Sequence, residues 1–254
     1  MTGNRPPNWR DPTRNLTPDE AAGLLPGATH YRAYVGPPDR FDFMSATQFS
    51  LLFALGLREV HRVLDFGCGS LRLGRLLIPF LRDNCYFAVE PNRWLIDDAL
   101  DAELGRDVVA LKHPSFSSRD DFDCADFGVT FDYIVAQSII THAGPDVAAL
   151  LLRNFRTAMH PGSLCIFTYR AAEAPLPADP PLGWTYPGVV FYEDGEIDRL
   201  VGEAGLIGQK LRWYHPGATW YLAAAAPDRL PPPEQLNLLR GQVLLDPQFA
   251  DSCV

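Results

Sequence analysis

From residue 62 onward, apolar positions fall into short blocks that alternate with longer stretches carrying apolar residues at helical spacing. The blocks Arg62 to Asp65, Cys85 to Glu90, Val108 to Leu111, Phe131 to Ala136 and Ser163 to Tyr169 predict strands. The stretches 71 to 82, 93 to 104 and 145 to 159 predict helices. Short, apolar strands of this kind belong in a parallel α/β sheet covered by helices on both faces. Right-handed crossovers then bring the carboxyl ends of the strands to one edge, which is where such sheets bind ligands.

The flanks break the rhythm. Residues 1 to 15 hold charge and proline with little periodic hydrophobicity, and predict a mobile arm. Thr17-Pro18-Asp19-Glu20 combines a cap residue, a proline at the first helical position and acids in the first turn, so a helix should start there and stop at Pro26-Gly27. A second helix over Phe41 to Leu57 leads into the first strand. After Tyr169, the prolines at 175, 177, 180, 181 and 187 exclude regular structure over 171 to 188, and a connection of that length predicts a functional loop or lid. A helix over 194 to 204, ended by Gly205, precedes a hairpin of 206 to 215 and 218 to 225 joined at Pro216-Gly217. A last helical stretch is expected near 234 to 244. The organisation read from this is an N-terminal arm and leading helix over 1–40, a domain over 41–226 with a lid-like insertion at 171–192, and a tail over 227–254.

Composition narrows the class. With 47% hydrophobic residues the chain can bury a sizeable core, and a formal net charge of -9 opposes general binding to nucleic acid. Cys68, Cys85, Cys124, Cys165 and Cys253 are odd in number and form no Cys-x-x-Cys pair, which predicts reduced thiols. No signal-like apolar run opens the sequence, and no stretch approaches the roughly 18 apolar residues that cross a bilayer. A soluble cytoplasmic protein without a membrane partner is expected; the composition leaves oligomeric state open, a homodimer included.

The chemistry concentrates at Val63-Leu64-Asp65-Phe66-Gly67-Cys68-Gly69-Ser70, a strand running into an acid and two glycines before a leucine-rich helical stretch. A dinucleotide-binding fingerprint would place a third glycine where Arg72 stands, and none occurs until Gly74. The alternative is a ligand without phosphate. Asp65 could attract its cation, and Glu90, ending the next strand, could take both hydroxyls of a ribose.

At these residues the chain resembles the class I S-adenosylmethionine-dependent methyltransferases. Val63 to Gly69 is similar to their first motif and Ala88-Val89-Glu90-Pro91-Asn92 to their second. Asp120-Asp121-Phe122-Asp123 stands where the family contacts the adenine, and Phe131 to Ser138 resembles its fourth strand. The resemblance spans most of residues 40 to 225. It implies a Rossmann-like, seven-stranded, mostly parallel sheet with a terminal antiparallel hairpin and helices on both faces. It also implies S-adenosylmethionine as cofactor, with contacts from Asp65, Gly67, Cys68, Gly69, Glu90, Pro91, Asp121, Phe122, Gln137 and Ser138.

Methyl transfer from a sulfonium needs alignment, exclusion of water and, for some acceptors, removal of one proton. His142, just past the fourth strand on the acceptor side, is the best base candidate, ahead of His30, His215, Tyr31 and Tyr34. Arg72 and Arg75 read as a solvated helix face, with Arg72 placed to meet a substrate anion. Asp120, Asp121, Asp123 and Asp126 read as one cofactor contact and a solvated turn, His113 and His142 are not at spacings that make a metal site, and no metal is expected. The acceptor should be a small organic molecule shaped by residues 28 to 48 and by Trp184, Tyr186, Phe191 and Tyr192. Competing readings are the same fold using the sulfonium for other chemistry, a non-catalytic binding protein, and a nicotinamide oxidoreductase.

Overall fold

The structure, a computed structural model, describes residues 12–176 and 181–240. Two compact units are resolved: one holds residues up to Leu52 together with Arg58–Asp121, the other Phe53–Leu57 and residues from Phe122 on.

The first unit begins with a single helical turn, α1 (Pro18–Ala21). It starts at the expected cap residue, Thr17, but ends short of the expected stop at Pro26-Gly27; Glu20 N donates to Thr17 Oγ1, and Thr17 N donates to Glu20 Oε2 at 2.8 Å, which closes a capping box. A second turn, α2 (Tyr31–Tyr34), is capped by His30, whose Nδ1 accepts from Arg32 N at 3.2 Å. Then follow α3 (Phe41–Ala54), β1 (Val63–Phe66), α4 (Gly74–Phe80), β2 (Tyr86–Val89), α5 (Arg93–Ala99), α6 (Asp107–Lys112) and β3 (Ser115–Ser117). The three strands pair in parallel in the order β3-β2-β1, with Asp65 opposite Ala88 and Ala88 opposite Phe116.

Two further elements of this unit differ from expectation. Val108 to Leu111 is helical, within α6, and the strand lies further on at Ser115–Ser117. A short apolar run fits either state, and the chain around it favours a helix: Asp107 sits in the first turn and His113 ends it in the left-handed conformation, φ 47°. Helix α4 starts at Gly74 rather than 71, because Gly67, Gly69 and Leu71 have φ of 71°, 53° and 53° and hold the chain in a wide turn.

The second unit contains β4 (Phe131–Ala136), α7 (Pro145–Thr157), β5 (Met159–Ala171), β6 (Phe191–Tyr192), α8 (Glu196–Glu203), β7 (Ile207–Leu211), β8 (Thr219–Ala224) and α9 (Pro233–Leu236). β4 and β5 are parallel, and β5-β8-β7 is antiparallel, which is the expected terminal hairpin. The hairpin strands are shorter than read from sequence, leaving residues 212 to 218 as an open connection that carries His215. A short eighth strand, β6, emerges from the proline-rich segment and pairs with the end of β5, Arg170 opposite Phe191. The mostly parallel α/β class with a terminal antiparallel hairpin therefore holds, with eight strands among the described residues where seven were expected.

Burial follows the pattern that predicted the strands. Leu64, Ala88, Ile134, Cys165, Ile166 and Leu222 have no exposed surface, and α7 buries Val147, Ala148, Leu151, Leu152 and Phe155. Each such leucine or phenylalanine contributes about 1.5–3 kcal/mol. Residues 1 to 11, 177 to 180 and 241 to 254 lie outside the described residues, and with them most of the arm, Cys253 and the end of the last expected helix. No helix of the described residues is long and apolar enough to cross a membrane.

Candidate functional site

In the first unit the glycine loop is fastened to the end of β2. Gly67 N and Cys68 N both donate to Val89 O, at 2.8 and 3.1 Å, and Gly69 N donates to Glu90 Oε2 at 3.0 Å. Three successive amides are thus directed inward. A pyrophosphate cradle needs such amides aimed at the ligand, so the phosphate-free reading gains support.

Asp65 and Glu90 are both buried. Tyr86 donates its hydroxyl to Asp65 Oδ2 at 2.8 Å, while Oδ1 receives no hydrogen bond among the described residues. Burial pushes the Asp65 carboxyl up to about 7, against the pull of Tyr86 and the buried Arg72. Glu90 is also raised by burial, opposed by donors on Asn92 and Gly69: its Oε1 accepts Asn92 N at 2.8 Å and Asn92 Nδ2 at 2.9 Å. Ser70 Oγ is buried with no hydrogen-bond partner among the described residues. An acceptor oxygen on a carboxyl that a nearby cation would ionise, a second buried carboxylate and an unused hydroxyl together fit a cationic ligand bearing hydroxyls.

Gly74 explains part of the arrangement. A Cβ there would stand 2.5 Å from Tyr86 Oη, so the glycine gives Tyr86 room to reach Asp65. Similarly, a Cβ on Gly69 would meet Val35 Cγ1 at 2.5 Å, so the segment before α3 packs directly on the loop.

The two arginines of the loop and α4 are not solvated. Arg72 is buried and donates Nη1 to Val35 O at 3.0 Å; burial lowers it to about 10, so it remains a cation at neutral pH. Arg75 joins Arg32 on Glu103, at 3.0 and 2.5 Å, and both guanidiniums stack on Phe41, 5.2 and 4.7 Å from its ring. Tyr31 also donates to Glu103, at 2.7 Å. Burial alone would raise Glu103, but hydrogen bonds from Tyr31, Arg32 and Arg75 hold it below the ordinary range. Tyr31 is therefore structural, and Tyr34 lies edge-on to Trp94 at 5.4 Å. Asp121 is exposed and paired with Arg119, and Pro91 turns the chain into α5.

In the second unit, Gln137, Ser138 and His142 follow β4. Ser138 has φ 60° and donates its N–H to Thr168 Oγ1 at 2.7 Å, while Gln137 Nε2 donates to Ser138 Oγ at 2.7 Å and lies 3.1 Å from His215 Nε2. His142 Nδ1 is 2.6 Å from Gly188 O. Because a carbonyl only accepts, Nδ1 carries the hydrogen and Nε2 the lone pair. Burial lowers the imidazole below its ordinary pKa, opposed by Gly188 and assisted by the charge of Arg170, so the ring is neutral at pH 7.

The described part of the proline-rich segment docks on this turn. Thr185 N and Oγ1 both donate to His142 O, at 2.8 and 3.0 Å, Gly144 N donates to Gly183 O at 2.7 Å, and Val190 N donates to Thr141 O at 2.9 Å. Trp184 and Tyr186 stand edge-on to the imidazole at 5.9 and 5.0 Å, and Phe122 lies 5.7 Å from Trp184. Sequence pattern placed Trp184 and Tyr186 near an acceptor but missed Tyr86, Thr168, Thr185 and Arg170. Tyr86 was detectable in principle: it lies two residues before Ala88, the partner of Asp65, and so shares its face. Among the described residues, no three His, Cys, Asp or Glu side chains could hold a metal ion together.

Residues 64–165 match a family model described as a methyltransferase domain. No curated protein matches the sequence. Solved structures with a similar fold include magnesium protoporphyrin IX methyltransferase from Synechocystis with bound S-adenosylmethionine, 14% identical, covering 74% of this chain and 80% of that one, TM-score 0.53. The sugar N-methyltransferase from Streptoalloteichus is 16% identical, with 73% and 88% covered and a TM-score of 0.53. An amino pentose methyltransferase from Micromonospora echinaspora is 14% identical, with 73% and 91% covered and a TM-score of 0.54.

Proposed function

We propose that this chain, which carries a methyltransferase domain over residues 64–165 and the fold of the class I S-adenosylmethionine-dependent methyltransferases, methylates a small-molecule acceptor. The observation that carries the proposal is the pair of buried carboxyls, Asp65 and Glu90, around a glycine loop whose amides are already taken by β2. S-adenosylmethionine supplies an electrophilic methyl on a cationic sulfur, with a neutral thioether as leaving group. Asp65 Oδ1 would take its ammonium and Glu90 its ribose hydroxyls, while Gly67, Cys68 and Gly69 let the backbone approach. Pro91, Asp121, Phe122, Gln137 and Ser138 complete the proposed contacts.

His142 is the proposed base. As the acceptor atom bonds to the methyl carbon and the carbon–sulfur bond breaks, the acceptor proton passes to His142 Nε2. Trp184 and Tyr186 offer an aromatic wall suited to a planar organic acceptor. The net charge of -9 supports a metabolite over a nucleic acid, and Cys68, Cys85, Cys124 and Cys165, none in a disulfide among the described residues, support a reducing, cytoplasmic setting. Incubation with methyl-labelled S-adenosylmethionine and a small-metabolite extract should yield a product heavier by the labelled methyl. Cofactor consumption without that mass gain would favour other sulfonium chemistry; no consumption would overturn the proposal.

A further inference from the structure

Arg170 ends the buried run of β5, and its half-buried guanidinium makes no hydrogen bond or ion pair among the described residues. It lies against the connection between β7 and β8: a Cβ on Gly217 would stand 2.7 Å from its Nη1. Two residues earlier on the same face is Thr168, directly opposite Trp220 in the antiparallel register. The Trp220 indole is 1% exposed, and its Nε1–H has no acceptor among the described residues. His215 packs edge-on to that indole at 5.9 Å and reaches Gln137.

One face of β5 and β8 thus gathers a cation without a counter-ion and a buried N–H without an acceptor. The buried N–H costs free energy while it lacks an acceptor, the guanidinium is left to water, and an anionic oxygen would serve both. Nearby acids are engaged on the opposite face: Asp198 accepts from Tyr221 at 2.6 Å, and Asp194 pairs with Lys210. His142 is close enough to feel the Arg170 charge, which adds to burial in keeping its imidazole neutral. A single fixed positive charge matches a monoanion. A phosphate dianion would call for a second cation or a cradle of amides; Ser138 N–H is already taken by Thr168 and Gly217 N–H by His215 O.

We infer that Arg170 and the Trp220 indole N–H form a subsite for a carboxylate carried by the methyl acceptor. The inference rests on the methyl-transfer reading above and narrows its acceptor to small organic acids, with the carboxylate fixing the position of the methylated group against His142.

The test uses the full chain labelled with nitrogen-15, with the Trp220 indole resonance assigned from Trp220→Phe. The probes are 4-hydroxybenzoate, 4-hydroxybenzamide and 4-hydroxyphenyl phosphate, each with and without S-adenosylhomocysteine. The acid should shift the Trp220 indole signal and bind tighter than the amide and the phosphate ester. Arg170→Gln should weaken the acid at least about tenfold while changing S-adenosylhomocysteine affinity by less than about twofold. Equal binding of acid and amide, tightest binding of the phosphate ester, or an unmoved Trp220 signal would each overturn the subsite. Failure of wild-type protein to bind S-adenosylhomocysteine would instead count against the methyl-donor reading, since the probe titrations without it read the subsite independently.

Discussion

Replacing Asp65 by Asn should stabilise the ligand-free protein at high pH. Burial raises the folded-state carboxyl from 3.8 to about 7. Stability held by the protonated carboxyl is therefore complete below the unfolded pKa and is lost as pH rises through the folded one. At about 1.4 kcal/mol per unit, the loss by pH 8 is at most about 4 kcal/mol, and about 2 kcal/mol is expected once the buried site relaxes. Asn is neutral at every pH and close in shape, and its carbonyl oxygen can still accept the Tyr86 hydroxyl. Urea unfolding of both proteins without ligand should show nearly equal stability near pH 4 and a growing advantage for Asn up to pH 8. A difference that stays constant or reverses over that range would show that Asp65 ionises normally and would refute the desolvated-carboxyl picture. The expected trade is functional: the variant lacks the charge proposed to attract the cofactor's ammonium.

Two further predictions concern other groups. Glu103→Gln leaves the Arg32 and Arg75 guanidiniums facing a neutral amide, and a loss of about 3 kcal/mol should appear in thermal or urea unfolding at pH 7. His142→Gln should lower kcat by about 10²–10⁴-fold, and the wild-type rate should be flat above pH 7 and fall only below 6.5, since burial lowers the imidazole pKa.

Much of the fold was legible because parallel strands buried on both faces are written as short apolar runs, and β1, β2, β4 and β5 all appear close to where those runs stand. Val108 to Leu111 misled for the same reason: four apolar or small residues fit a turn of helix as well as a strand, and the flanks, Asp107 in the first turn and the left-handed His113 that closes the helix, distinguish them. Asp65, Glu90 and the two glycines were legible because a strand ending in an acid before a glycine turn is a local pattern. Arg75 was not, because its partners Glu103 and Asp42 lie at sequence separations with no helical or strand period. Arg170 and Trp220 share a face only through the β5-β8 register, which is a property of the folded hairpin.

Calorimetric titration with S-adenosylhomocysteine tests the central claim most directly. Wild-type protein should bind one equivalent with a Kd on the order of 1–100 μM, and Glu90→Ala should weaken it at least about tenfold. Absence of binding at millimolar ligand by a protein that is folded under the same conditions would contradict it.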